Sequence, residues 1–439
     1  IVLRGANSRN GDNAGAFNLN LNSDASLLWW NSSADLSLAA ALWAVGDLYT
    51  EIEMPQPWLK IGPSGSPSRR ASGRTGCRPK KDFKMPKRIG NLLPVMTDRE
   101  FIRRCMVDHA KKRMRDPTTP PALTHIETCI DRVQHWVRYG GWRPSVPIHT
   151  QHFEPSNGKL RDIDYVPYWP DGVMHWVLIE AIYDAVVPKL DPYCIAGIKG
   201  RGPHSAAKQV ARWMKTDRAG MKYGAELDIH HCFPESDHDF IKYGYRQMVK
   251  DRYWLRLADA VVDGFDNGLP IGYVTSHWFQ NLAMTAFDRY VRGLDGVAHY
   301  YRYVDNIHLY GPNKRKLHRA LQAAMEWLAA ADYSCNQCWQ VYRTDYVDRD
   351  GRHRGRALDG LGFVIYCDHV SYRKRTTRRL IRLCLDIKAR PHGVPTQRQA
   401  RQAACRIGQL KHANEHRFRV KYVDGVISYR KIRKVVKDA

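Results

Sequence analysis

The sequence predicts a mixed α/β protein, and three observations carry that prediction. "GAELDI" (224–229) alternates Ala225, Leu227 and Ile229 against Glu226 and Asp228, the pattern of a strand with one wet face. "HYYRYVDNIHLYG" (299–311) sets two runs of alternating aromatic and aliphatic side chains on either side of Asp305-Asn306, which reads as a hairpin. Apolar residues at helical spacing fill several of the stretches between such segments, beginning with "MPKRIGNLLPVMTDREFIRRCMVDHAKKRM" from Met85.

Taken in order, the first stretch is crowded with Asn, Gly and Ser in turn-forming combinations. "GPSGSPSRRASGRTGCRPKK" (62–81) has the composition of a flexible basic linker, so a boundary is expected near residue 84. Beyond Pro117–Pro121, "THIETCIDRVQHWVRYG" (124–140) predicts an amphipathic helix started by Thr124 and stopped by Gly140. "SNGKLRDIDYVPYWPDGVMHWVLIEAIYDAVV" predicts a turn at Asn157-Gly158, a short strand, and a helix after Pro170-Asp171. After the 224–229 strand, Ser236 is the expected cap of a helix carrying Phe240, Tyr243, Met248 and Trp254 inward. Another helix is expected from Thr275 to Arg292, after "NGLPIG". In the hairpin, Tyr301 and Tyr303 should face one way and Arg302 and Val304 the other, with Asp305-Asn306 as a two-residue tip needing positive φ.

Composition narrows the partners. The chain has 439 residues, enough for two or three domains, and 44% hydrophobic content with 13 Trp and 23 Tyr argues against a disordered polymer. Its 69 Lys+Arg against 44 Asp+Glu give a formal +25, a field that attracts phosphate backbones or anionic membranes. The longest nearly apolar run, Leu36 to Val45, is too short to span a bilayer, which favours nucleic acid over membrane. Ten Cys without even spacing read as reduced thiols, so a cytoplasmic location is expected. Cys335 and Cys338 form a CxxC, but no second pair lies at zinc-ribbon spacing, and no metal is assigned there.

Chemistry enters through the carboxylates. Asp-Asn at a turn needs no further role by itself, but Asp228 ends its own strand on the polar face. Two neighbouring strands presenting Asp228 and Asp305 at one sheet edge would bring two carboxylates within reach of a divalent-metal cluster. That is the requirement of nucleotidyl transfer, in which two Mg²⁺ about 3.5–4 Å apart serve the attacking and leaving oxygens.

At these residues the chain resembles a known family. "LDIHHCFPE", "GLPIGYVTSHWFQNL" and "YRYVDNIHLYG", in this order, look like the three central motifs of reverse transcriptases, and "LDGLGF" (358–363) resembles the primer-gripping turn that follows them. Upstream, "SNGKLRDI" and "IKGRGPHSAAKQVARWM" look like the family's finger motifs, so the resemblance covers residues 85–439. "IGYVTSH" is similar to the IGxxxSQ signature of diversity-generating retroelement enzymes, from which His277 departs.

The resemblance implies a right-hand polymerase, with fingers at 85–215, a palm of antiparallel sheet backed by helices at 216–370, and a basic helical thumb at 371–439. Residues 1–84 are then read-through of a template repeat rather than a domain. The implied activity is RNA-directed DNA polymerisation in a diversity-generating retroelement. The alternatives are a host-defence or intron-related reverse transcriptase, or a catalytically silent RNA-binding protein of the same fold.

Roles transfer residue by residue. Asp228, Asp305 and Asn306 form the catalytic set, and Asp228, Asp305 and the Ile229 carbonyl hold Mg²⁺, with Mn²⁺ as a substitute. Lys159 and Arg161 grip the triphosphate, Phe233 lies under the sugar and favours dNTP over rNTP, and Gly272 lets the backbone lie close to the nucleotide. Gly362, Arg373, Lys374 and Arg375 contact the primer and template. Implied partners are an RNA template, a DNA or RNA primer and dNTPs, with room for a small basic accessory protein. Asn306 stands where the family has a second Asp, and an amide cannot carry the charge a metal prefers.

Overall fold

Helices and small antiparallel sheets make up the computed structural model, which describes residues 87–154 and 159–437. The Asn-rich head, the basic linker, the boundary at 84 and the Asn157-Gly158 turn lie outside the described residues. Contacts group residues 87–201 with 219–343, and 202–218 with 344–437. The edges of these units fall elsewhere than the expected boundaries at 215 and 370. Helix Pro203–Thr216 packs with the chain after 343, His204 meeting the Phe363 ring at 5.4 Å and the His412 ring at 3.9 Å.

In the first unit, β1 (Ile148–Glu154) and β2 (Lys159–Tyr165) form an antiparallel ribbon, Ile148 opposite Tyr165 and Phe153 opposite Leu160. The larger sheet takes the order β4-β5-β3-β6, from β3 (Tyr223–Asp228), β4 (His299–Tyr303), β5 (Asn306–Gly311) and β6 (Gln340–Arg343), all antiparallel. Alternation in β3 is as expected, with Ala225 and Leu227 buried and Glu226 and Asp228 less so. Helix Lys314–Ala330 packs on β3, β5 and β6, and buries Leu317, Leu321, Ala324 and Trp327 at helical spacing. Trp254, Trp327, Phe240, Phe279 and Phe287 are fully buried nearby, and truncating one such ring to Ala costs about 3–5 kcal/mol.

Several expected details shift. Helix Ile126–Tyr139 stops at Gly140 but begins past Thr124, which closes the preceding helix Thr119–Thr124. Asp237, not Ser236, caps helix His238–Met248, its carboxylate accepting from Asp239 N at 2.8 Å. Ser236 is buried and donates to the Cys232 carbonyl at 2.5 Å instead. Tyr245 takes the inward position while Tyr243 is half-buried, and Trp254 belongs to the next helix, Arg252–Val262, capped by Asp251. The expected 275–292 helix is two, Val274–Ala283 and Thr285–Gly293, broken at Met284.

The second unit has little sheet. It comprises the hairpin of β7 (Tyr346–Val347) and β8 (His353–Arg354), and the three-stranded β9 (Leu358–Gly360), β10 (Phe363–Ile365) and β11 (Val370–Tyr372) in the order β11-β10-β9. Helices Lys374–Lys388, Gln397–Leu410 and Tyr429–Lys437 follow, with Leu380, Leu383, Ile387, Ala403, Ile407 and Ile432 buried along their apolar stripes. Among the described residues, no helix is long and apolar enough to cross a membrane.

Candidate active site at the β3–β5 sheet edge

The two aspartates meet. β3 and β5 are hydrogen-bonded neighbours with Asp228 opposite Asn306, and Ile229 N donates to the Asp305 carbonyl at 3.1 Å, so Asp228, the last residue of β3, and Asp305, the residue before β5, lie at the same end of paired strands. The tip differs from expectation by one residue. Tyr303 pairs with Asn306, so the two-residue turn is Val304-Asp305, and the positive φ (56°) falls on Val304. A β-branched residue is strained there, at roughly 1–3 kcal/mol. Asn306 is the first residue of β5, exposed, and its Nδ2 donates to Asp305 Oδ1 at 2.8 Å.

The strain at the tip is opposed by a buried anchor at its base. Arg302, fully buried, makes a two-pronged ion pair with Asp288, Nε to Oδ1 at 2.7 Å and Nη2 to Oδ2 at 2.9 Å, and Tyr300 donates to the same carboxylate at 2.5 Å. Its Nη1 donates to the Val304 carbonyl at 3.1 Å and to Asn281 Oδ1 at 3.2 Å, tying the tip to helix Val274–Ala283. Burial opposes the guanidinium charge, but Asp288, ahead of Cys194 and Tyr300, outweighs it and holds Arg302 above its ordinary range. Alternation put Arg302 on the face opposite Tyr301 without a partner, because the ion pair joins a strand to a helix and leaves no local spacing signal.

Asp228 has an anchor that sequence reading also missed. Asn336 donates from Nδ2 to Asp228 Oδ2 at 2.6 Å and from its backbone N to the Asp228 carbonyl at 2.9 Å. Asn336 lies inside the CxxC of Cys335 and Cys338, so the segment that suggested a thiol motif supplies an amide to a carboxylate. Cys335 pairs with Ile229 across an isolated bridge, and burial, then the charge of Asp228, pushes its thiol up to about 11. Burial first, and the Asp228 charge second, hold the Asp305 carboxyl above the usual carboxylate range, against its own backbone, Asn306 and Arg161.

Around the pair, Phe233 is half-buried and meets the His277 ring edge-on at 5.0 Å. His277, where the signature has Gln, is therefore a packing partner of Phe233, and burial lowers its imidazole to about 4. The turn carrying Phe233 is fixed from below by a buried network, in which Tyr333 OH donates to Gln280 Oε1 at 3.0 Å and Gln280 Nε2 to Cys232 Sγ at 3.3 Å. Gly272 has φ 131°, and the close backbone approach it permits here is to β2. A Cβ would lie 2.0 Å from the Asp164 carbonyl oxygen, and Asp164 N donates to the Ile271 carbonyl at 2.9 Å. The β1–β2 ribbon is thereby held to the start of helix Val274–Ala283, with Arg161 exposed on β2 and electrostatically felt at Asp305. The side chain of Lys159 lies outside the described residues.

The residues expected to contact primer and template, Gly362, Arg373, Lys374 and Arg375, belong to the second unit. Leu361 and Gly362, at φ 58° and 85°, form the two-residue turn joining β9 to β10, the geometry of a type I′ hairpin. Arg373 precedes helix Lys374–Lys388 and pairs with Asp359, and Lys374 and Arg375 are exposed in its first turn.

The donor set at the sheet edge fits a hard divalent cation. It consists of hard carboxylate oxygens whose hydrogen-bonding partners Asn306 and Asn336 are neutral amides, and whose mutual repulsion a cation would relieve. No protein-family model matches the chain, and no curated protein matches it.

Proposed function

We propose that the chain is an RNA-directed DNA polymerase of the reverse transcriptase type, most like those of diversity-generating retroelements, with fingers, palm and thumb in chain order. The observation that carries the proposal is the adjacency of Asp228 and Asp305 at the end of paired strands. In this reading the two carboxylates and the Ile229 carbonyl hold Mg²⁺, which when bound activates a primer 3′-hydroxyl and offsets charge on the departing pyrophosphate.

The chain's own residues do the rest. Asn336 and Asn306 orient the carboxylates through hydrogen bonds that leave their charge intact. Arg161 on β2 meets the triphosphate from the finger side, and Phe233, braced by His277, presents a ring that a 2′-hydroxyl would strike. The Leu361-Gly362 turn and Arg373, Lys374 and Arg375 hold primer and template by phosphate contact. Asn306 is one residue past the turn and exposed, so lack of a charge there is compatible with activity resting on Asp228 and Asp305.

The test is primer extension on an RNA template with Mg²⁺ or Mn²⁺. Incorporation of dNTPs is expected. Binding of template-primer without any extension would replace the polymerase reading with that of an RNA-binding protein.

A further inference from the structure

The second unit contains a group of donors that the polymerase reading does not use. Asp345, His353, Cys367 and Asp368 offer one ligand atom each, all within 4.8 Å of one another. They come from three separate stretches of chain. Asp345 precedes β7, His353 opens β8, and Cys367-Asp368 form the turn between β10 and β11. The hairpin that carries His353 is fixed at its tip by Asp348, whose carboxylate accepts from Asp350 N at 3.0 Å and Arg352 N at 2.9 Å and pairs with Arg354. The other turn is closed by Tyr366 N donating to the His369 carbonyl at 2.8 Å. Both ends are therefore preset.

We propose that these four side chains form a structural zinc site that staples the β7–β8 hairpin to the β10–β11 turn. The inference does not depend on the polymerase reading. The donor types select the metal. A thiolate is too soft for Mg²⁺ or Ca²⁺, whereas a mixed set of sulfur, imidazole nitrogen and carboxylate oxygen suits Zn²⁺, and four protein ligands close its coordination. With Zn–ligand bonds of 2.0–2.3 Å, the edges of a tetrahedron are about 3.3–3.8 Å, so the most widely separated donors, within 4.8 Å of one another, need to draw in by about 1.5 Å at most.

Asp345 is the strongest sign. Its side chain is only 3% exposed, and its partners are two of the other donors, the His353 ring, Nδ1 to Oδ2 at 2.9 Å, and Cys367, through its backbone N at 2.9 Å and its thiol. His353 Nε2 lies 3.6 Å from Asp368 Oδ2, and Asp368 Oδ1 is within 2.6 Å of His369 Nδ1, an outer-shell contact of the kind that orients a metal-binding carboxylate. The local sheet is built of two- and three-residue strands and has few buried apolar residues, Leu358, Phe363, Ile365, Val370 and Tyr372, the setting in which small folds rely on a metal. Binding converts the Cys367 thiol to thiolate and releases its proton to solvent, with His353 neutral.

The test needs no mutation to begin. Metal-stripped and Zn²⁺-loaded full-length chain are alkylated with iodoacetamide and mapped by mass spectrometry. Cys367 is expected to be labelled only in the stripped protein, with the exposed Cys338 labelled in both. Bound zinc should be about one per chain, and Co²⁺ in its place should give a thiolate-to-metal absorption band. Cys367→Ser and Asp345→Asn should each weaken Zn²⁺ binding by about 10-fold or more, while Cys338→Ser leaves it unchanged. Equal labelling of Cys367 with and without Zn²⁺ would overturn the proposal. It would then leave His353 as an imidazole lying between two carboxylates.

Discussion

One hairpin meets two aspartate environments, Asp288 on the neighbouring helix and Asp305 in its own turn, and they differ in the partners that surround the charge. At its base Asp288 is buried against a fully buried guanidinium and a tyrosine hydroxyl. At its tip Asp305 accepts from a neutral amide and lies near a second carboxylate that raises its proton affinity. The first arrangement is complete without anything added. The second gains from a cation, and the contrast separates a carboxylate that holds the fold from one that is available for chemistry.

Four measurements bear on that contrast. The largest effect is expected from Asp305→Ala or Asp228→Ala, which should lower templated extension on the order of 10³-fold or more while circular dichroism and thermal unfolding stay near wild type. Extension that survives either substitution would sever the tip from the chemistry. Arg302→Leu should do the reverse and cost about 3–5 kcal/mol of stability in urea titration, since it leaves Asp288 as an uncompensated buried charge. Replacing Asp288 by Leu together with Arg302→Met should recover much of that loss, because both charges then leave the interior.

Discrimination comes next in size. Phe233→Ala should narrow the preference for dNTP over rNTP by roughly 10–100-fold, read as a ratio of kcat/KM values. A wild-type preference for rNTP would remove the role given to Phe233. The smallest effect is a pH dependence without metal. Because the folded protein holds the Asp305 proton more tightly than the unfolded chain, this group favours folding below the ordinary Asp value of about 3.9, and that contribution fades as pH rises through its raised value. Asp305→Asn should therefore gain thermal stability relative to wild type as pH rises over that interval, and Mg²⁺ should narrow the gap by stabilising wild type alone. A difference that does not change with pH would argue against the electrostatic coupling of the two carboxylates.

The β3 alternation, the Gly140 stop, the hairpin and both aspartates were legible from local sequence, because a period of two and a turn signal depend only on near neighbours. The hairpin register was not. Asp-Asn is the better turn pair by residue preference, yet the turn closes on Val304-Asp305, where the Arg302 contacts to Asp288 and the Val304 carbonyl hold it. The Ser236 cap yielded in the same way, to a buried network with Gln280 and Tyr333.

By itself, then, the sequence determined the mixed α/β class, the basic character and the strand ends on which Asp228 and Asp305 sit, all properties of composition or short-range period. Tertiary structure decided which strands are neighbours, which carboxylate meets an arginine and which meets another carboxylate, and that Asp345, His353, Cys367 and Asp368 converge. The physical reason is that charge compensation depends on distance in space, and residues from separate turns of chain acquire that distance only when the backbone between them has folded.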